Sequence, residues 1–116
     1  MREFITFVDA EGNYPVMSYI SGLKTADAQK ILAMLAALAT VERLDKPYFK
    51  AFGGFTVALG ELIIGAFRIF VHRLEGRPGE ERYLLVHMFR KKSNETPQRE
   101  IDAAIKNIYA FRYAQE

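Results

Sequence analysis

The chain opens on a run of aromatic and branched residues, EFITFVD at positions 3–9, which predicts a strand. A polar turn follows from Ala10 to Asn13, with Gly12 inside it. Pro15 suits the first position of a helix, where its missing N–H is not needed, and Val16, Ile20 and Leu23 then recur at helical spacing. This first helix is predicted to be short and to end near Gly22. Thr25 fits the N-cap of a second helix, with Asp27 in the first turn, where the helix dipole favours negative charge. Ile31, Leu35, Leu38 and Ala39 make its apolar stripe, widened by Leu32 and Met34, and its end is predicted between Thr40 and Arg43. The Ala-rich run from Ala33 to Ala39 suits close packing against the first helix or a sheet.

Residues 45–55 contain Pro47 and Gly53-Gly54 and read as irregular. Strand patterns follow at 60–64 (GELII) and 67–75 (FRIFVHRLE), tightly joined at Gly65. A loop at 76–81 with Pro78-Gly79 leads to the strongest strand signal, RYLLVHMFRKK at 82–92. Links this short imply an antiparallel meander. A last helix begins at Pro97 and carries Ile101, Ala104, Ile105 and Ile108 at helical spacing. The predicted fold is α+β: an N-terminal strand, two packed helices, an antiparallel three-strand meander and a C-terminal helix. The helices are expected to cover one face of a mainly antiparallel sheet. Residues 1–116 form a single domain in this reading, without repeat, linker or low-complexity tract.

Half the residues are hydrophobic, enough for a sizeable core. Cysteine is absent, which excludes disulfides, thiolate metal sites and cysteine nucleophiles and suits a reducing cytoplasm. The opening MREFITFVDAEGN has acids too early for a signal peptide, and no apolar run reaches the ~18 residues of a membrane span. The expected location is therefore cytoplasmic, with no membrane partner. Net charge is only +2, but it is uneven: residues 1–65 hold 6 Lys/Arg and 7 Asp/Glu, whereas residues 66–116 hold 10 and 7. The excess sits in the half that contains LLVHMFRKKSNETPQREI, Leu84 to Ile101. There an apolar strand runs into Arg90, Lys91 and Lys92, and Thr96-Pro97 opens a helix shortly afterwards. Clustered cations at the end of a buried strand call for an anion, and RNA phosphate is the first to consider.

Several blocks in this order resemble the RelE/ParE toxin superfamily, and most closely its HigB-like, phage-derived branch. EFITFVDAEGNYPVMSYISGL is similar to the opening strand and first helix, and KILAMLAALA to the second helix. Glu61-Leu62 resembles the start of a Glu-Leu-Arg strand, and FRIFVHRLEG a Tyr-Arg-Val-Leu-Tyr strand. The most specific block is LLVHMFRKKSNETPQREIDAAIKNI, beside the family's Leu-His-Gly-Phe-x-Lys-Lys-Thr-x-Lys-Thr-Pro-x-x-Glu-Ile. This chain departs from the pattern at Gly60, where an aromatic is usual, and at Ile63, where Arg is usual. Met88 replaces a glycine and Asn94-Glu95 a more basic pair. The resemblance implies a RelE-like fold, a type II toxin that cleaves mRNA on the ribosome and so inhibits translation, and a helix-turn-helix antitoxin as partner.

RNA cleavage of this kind needs neither metal nor cofactor. The 2′-OH attacks the adjacent phosphorus and leaves a 2′,3′-cyclic phosphate and a 5′-OH. The site must take the 2′-OH proton, stabilise charge on the phosphate and protonate the leaving oxygen. Arg68 leaves its strand opposite Phe67 and Ile69, and its fork suits the scissile phosphate. Lys91, crowded by cations, is the candidate base or stabiliser, with Lys92 as a phosphate contact and Arg90 holding flanking RNA. If the strand persists that far, Lys91 and Lys92 point to opposite faces and only one meets Arg68. Alternation puts His87, the candidate proton donor, on the face of Phe89 and Lys91. His72 and Glu61 are weaker candidates, and Tyr109 and Tyr113 would stack on bases or donate a proton. The plainer readings are solvated strand ends, a structural histidine and packing of a helix end. The histidines lack a carboxylate cluster at metal-ligand spacing, so no metal is expected. Walker, Gly-x-Gly-x-x-Gly, Gly-x-Ser-x-Gly and His-Glu-x-x-His motifs are absent. Two alternatives stand beside the nuclease: a non-enzymatic, gyrase-directed inhibitor, and a degenerate member that only binds an antitoxin. Ile63 speaks for the second.

Overall fold

The computed structural model describes residues 2–115. Its elements are β1 (Arg2–Thr6), α1 (Pro15–Ser21), α2 (Thr25–Leu38), β2 (Phe49–Phe52), β3 (Leu59–Ile64), β4 (Phe67–Leu74), β5 (Glu81–Arg90) and α3 (Gln98–Ala114). The five strands form one sheet in the order β1-β5-β4-β3-β2. The expected meander is present in β3, β4 and β5, each antiparallel to the next. Gly65 turns β3 into β4 at φ 59°, a left-handed conformation open to glycine at little cost.

Two expectations are corrected, and the pairing of β1 is added to a sheet that is mainly antiparallel as expected. The segment read as irregular contains β2, which pairs antiparallel with β3 from Phe49↔Leu62 to Phe52↔Leu59. Only five residues, 48–52, lie between the breakers Pro47 and Gly53, so pairing with β3 rather than local pattern makes this a strand. β1 runs parallel to β5, which makes the sheet mixed. The helices, finally, cover both faces. Val16, Ile20, Ile31 and Leu38 of α1 and α2 bury against Leu62, Ile69, Val71 and Leu85. Ala104 and Ile108 of α3 bury against Leu59, Phe70, Leu84, Val86 and Phe89 on the other face. Strands covered on both sides read as near-continuous apolar runs, as LLVHMF does.

Element ends also shift. Thr25 is the first residue of α2 and Lys24 its cap, and α2 stops at Leu38. The close packing expected of the Ala-rich run is not made, since Ala33, Ala36 and Ala37 are exposed. Arg2 closes the far side of the sheet. Its Nε and Nη2 donate to Glu81 at 2.7 and 3.1 Å, and its Nη1 donates to the carbonyls of Leu38 and Val41 at 2.7 and 3.0 Å. One buried cation thus ties β1 to β5 and to the carbonyl end of α2, where positive charge is favoured.

β5 carries a bulge. Pairing steps from Phe70↔His87 to Val71↔Leu85, leaving Val86 extra. Leu85 and Met88 therefore lie on the α1/α2 side, while Val86, His87 and Phe89 face α3.

Candidate functional site

The register decides which side chains share the α3 face at the Gly65 end of the sheet. Glu61 pairs with Lys50 on one side and Phe70 on the other, and Ile63 pairs with Arg68. Arg68 in turn pairs with Phe89, and Phe70 with His87. Paired residues lie on the same face of a sheet, so one row of side chains runs from Lys50 across Glu61 and Phe70 to His87. A second row, Ile63, Arg68 and Phe89, lies beside it, nearer the turn.

β5 ends at Arg90, and Lys91 donates its backbone N–H to the Ala66 carbonyl at 2.8 Å. Beyond that bond strand alternation no longer applies. Lys91 and Lys92 therefore line the same open cleft of about 320 Å³, together with Arg68, Ala66, Ser93 and Asn94. The expectation that only one lysine joins Arg68 is corrected, because it rested on a strand continuing to residue 92. Arg90 points the other way: it pairs with Phe67 and its guanidinium sits over that ring at 5.1 Å.

Within the cleft, Arg68 Nη1 donates to the carbonyls of Gly65 and Phe67 at 2.7 and 2.9 Å. Its Nε lies 3.9 Å from Glu61 Oε1. Glu61 is only 2% exposed. Burial pushes its carboxyl above the usual range, opposed by the charges of Arg68, Lys91 and Lys50. The crowding of cations around Lys91 is thus partly offset by a carboxylate.

His87 shares the face of Phe89 but is not among the residues that line the cleft. Its ring lies nearly parallel to those of Phe70 and Phe89, at 6.3 and 6.2 Å. Nε2 is 2.9 Å from Glu100 Oε1 in the first turn of α3. His72 lies along β4 from the cleft, with Nδ1 donating to the Ala58 carbonyl at 2.7 Å. The tyrosines of α3 are elsewhere. Tyr109 is hydrogen-bonded through its hydroxyl to Thr56 at 2.6 Å, at the end of β3 opposite the cleft, about 20 Å away for a strand of this length. Tyr113 lies further along α3 and is 80% exposed. Among the described residues no three of His, Asp or Glu converge as a metal ligand set. Nor is any described helix long and apolar enough to cross a membrane.

The family model of the phage-derived Gp49-like proteins (DUF891) matches residues 18–109. The chain belongs to that family. A search of curated proteins returned no match. The match spans β2 to β5 and so includes every cleft residue named above, but it stops short of Tyr113.

In this Gp49-like chain the residues noted above at positions 60 and 63 have a definite place in the structure. Gly60 faces the α1/α2 side, and a Cβ there would come within 2.7 Å of the Phe49 ring. An aromatic is thus still present at that spot, supplied by the neighbouring strand. Ile63 sits directly beside Arg68, so the missing cation leaves an apolar neighbour at the cleft. Sequence reading missed Lys50, because its strand was not recognised. It also missed Glu100, whose role depends on how α3 docks. The aromatic pair Phe49 and Phe52 between Pro47 and Gly53 was the available signal for the first, too short to show a period. For the second the signal was its place in the Thr-Pro-x-x-Glu-Ile block, read there for family resemblance and not for its side chain.

Proposed function

We propose that this chain is the toxin of a toxin–antitoxin pair, an endoribonuclease that cuts messenger RNA on the ribosome. The observation that carries the reading is the convergence of Arg68, Lys91 and Lys92 on one open cleft beside a buried carboxyl group. Membership of the Gp49-like family, a RelE-like toxin family, supports it. In this reading Arg68 grips the scissile phosphate and Lys92 a second phosphate oxygen or the next phosphate. The 2′-oxygen bonds to phosphorus as its proton passes to a base, for which Lys91 is the choice. The P–O5′ bond breaks, and the 5′-oxygen takes a proton from His87 once that ring parts from Glu100. Arg90, Tyr109 and Tyr113 lie outside the cleft and would touch only flanking RNA or the ribosome. So open a cleft holds its substrate poorly by itself. The ribosome supplies the alignment, an effect that can lower a barrier by several kcal/mol. A helix-turn-helix antitoxin would be the partner that restrains the activity.

Primer extension on cellular mRNA after a short induction tests the reading. New cleavage sites with the wild-type chain, absent with Arg68→Ala and Lys91→Ala, are the expected outcome. Induction without new sites would remove it.

One observation favours a second reading, a degenerate member that binds its antitoxin without cutting RNA: Ile63 stands where a cation would adjoin Arg68. The two readings differ for Ile63→Arg. A weakened nuclease should gain at least about tenfold in cleavage, since one phosphate contact of this type is worth ~1.5–3 kcal/mol. A chain that never cuts would gain nothing.

A further inference from the structure

Two buried side-chain atoms among the described residues lack a hydrogen-bond partner, and they belong to neighbours: Oε2 of Glu61 and Nε of Arg68. The Nε is 3.9 Å from Oε1 of the same carboxyl, too far for a hydrogen bond and a small rotation away from one. Burying a carboxylate oxygen without a partner is costly, and an apolar side chain would fill the position without that cost. Meanwhile Arg68 spends Nη1 on the carbonyls of Gly65 and Phe67, so its two terminal nitrogens are not both available to a ligand.

These facts describe an arginine held between two sets of acceptors. With Nη1 on the turn carbonyls, Nε and Glu61 are both left wanting. With Nε on Glu61, the Nη1–Nη2 end of the fork is free to engage two oxygens of a phosphate together. Ile63 beside it offers no competing charge. Lys50 and Lys91 stabilise the ionised carboxylate against the effect of burial.

We infer that Glu61 is a positioning residue for Arg68: its carboxylate takes up Nε when an RNA phosphate draws Nη1 off the Gly65 and Phe67 carbonyls. This rests on the ribonuclease reading and deepens it. Glu61 itself need not touch RNA. It turns the guanidinium and holds it in the phosphate-binding orientation.

The test is single-turnover mRNA cleavage on translating ribosomes across a pH series, with thermal unfolding of each variant alongside. Wild type, Glu61→Gln, Glu61→Asp and Arg68→Ala are compared. Glu61→Gln keeps an oxygen for Nε but loses the charge that makes the bond strong, so cleavage should slow about tenfold. The wild-type rate should fall toward acid as Glu61 protonates, a limb that Glu61→Gln lacks and Glu61→Asp retains. Glu61→Gln should unfold no earlier than wild type. If Glu61→Gln cleaves like wild type with the same pH profile while Arg68→Ala is inactive, the inference is overturned and the ribonuclease reading stands. Loss of thermal stability in Glu61→Gln would also overturn it, by making Glu61 a structural group. A wild type that cleaves nothing overturns the ribonuclease reading, and this inference with it.

Discussion

Two carboxyl groups of this chain answer to pH in opposite directions. Burial raises Glu61, so its contribution to stability is complete below the ordinary carboxylate value and is lost as pH climbs through the raised one. Glu81 is lowered by its hydrogen bond with Arg2, so its contribution is present above the ordinary value and is lost as pH falls through the lowered one. The expected outcome for Glu61→Gln is a gain over wild type of about 1–3 kcal/mol near neutral pH, the cost of an unpaired buried polar group. That gain should shrink on acidification, and urea unfolding at about pH 4 and about pH 7 checks it. At Gly60 the constraint is space. A methyl group there must displace the Phe49 ring, which also packs edge-on against Tyr83 at 6.0 Å. Gly60→Ala should destabilise by about 1–3 kcal/mol, measured by the same unfolding assay. Residue identities such as Arg68, Lys91 and His87 stand out in the sequence because their chemistry does. Their partners are harder to read: Glu61 ranked only as a weaker candidate and Glu100 only as part of a motif, because nothing local says which distant carboxyl a cation or imidazole will meet.

Elements were legible where the pattern was long and locally consistent. The strands at 60–64, 67–75 and 82–92 were readable from apolar runs and turn residues, and β3, β4 and β5 fall there. β2 was not, since five residues between breakers carry too little pattern and become a strand only on meeting β3. The end of β5 illustrates the same limit. Its cations look like a continuation of the strand, yet the Lys91–Ala66 backbone bond is the last before the chain leaves the sheet and brings both lysines to one cleft. Placing α1 and α2 on one face and α3 on the other required knowing which residues of β5 point where, and the bulge at Val86 resets that pattern in mid-strand. Arg2 binds three of these elements together. Arg2→Ala strips Glu81 of its partner and frees two carbonyls at the end of α2, so a loss of about 3 kcal/mol is expected. The loss should be smaller in acid, where Glu81 is protonated, and thermal unfolding at two pH values would show it.

For the whole molecule, the notable feature is a division of labour along the sheet. The Gly65 end gathers Arg68, Lys91 and Lys92 around an open cleft, with Lys50 two strands from Arg68 on the same face. The opposite end holds Tyr109 against Thr56, with His72 bonded to Ala58 nearby. A net charge of +2 conceals this, because acids elsewhere cancel most of the positive charge. Cations grouped at one open surface fit a polyanion held from one side. The central claim, that this cleft cuts mRNA during translation, meets its most direct test in a translating extract given purified protein. Fragments are mapped and their ends identified. The expected fragments end in 2′,3′-cyclic phosphate and 5′-OH, depend on translating ribosomes and vanish with Arg68→Ala. No fragments from the wild type, or the same fragments from Arg68→Ala, would contradict it.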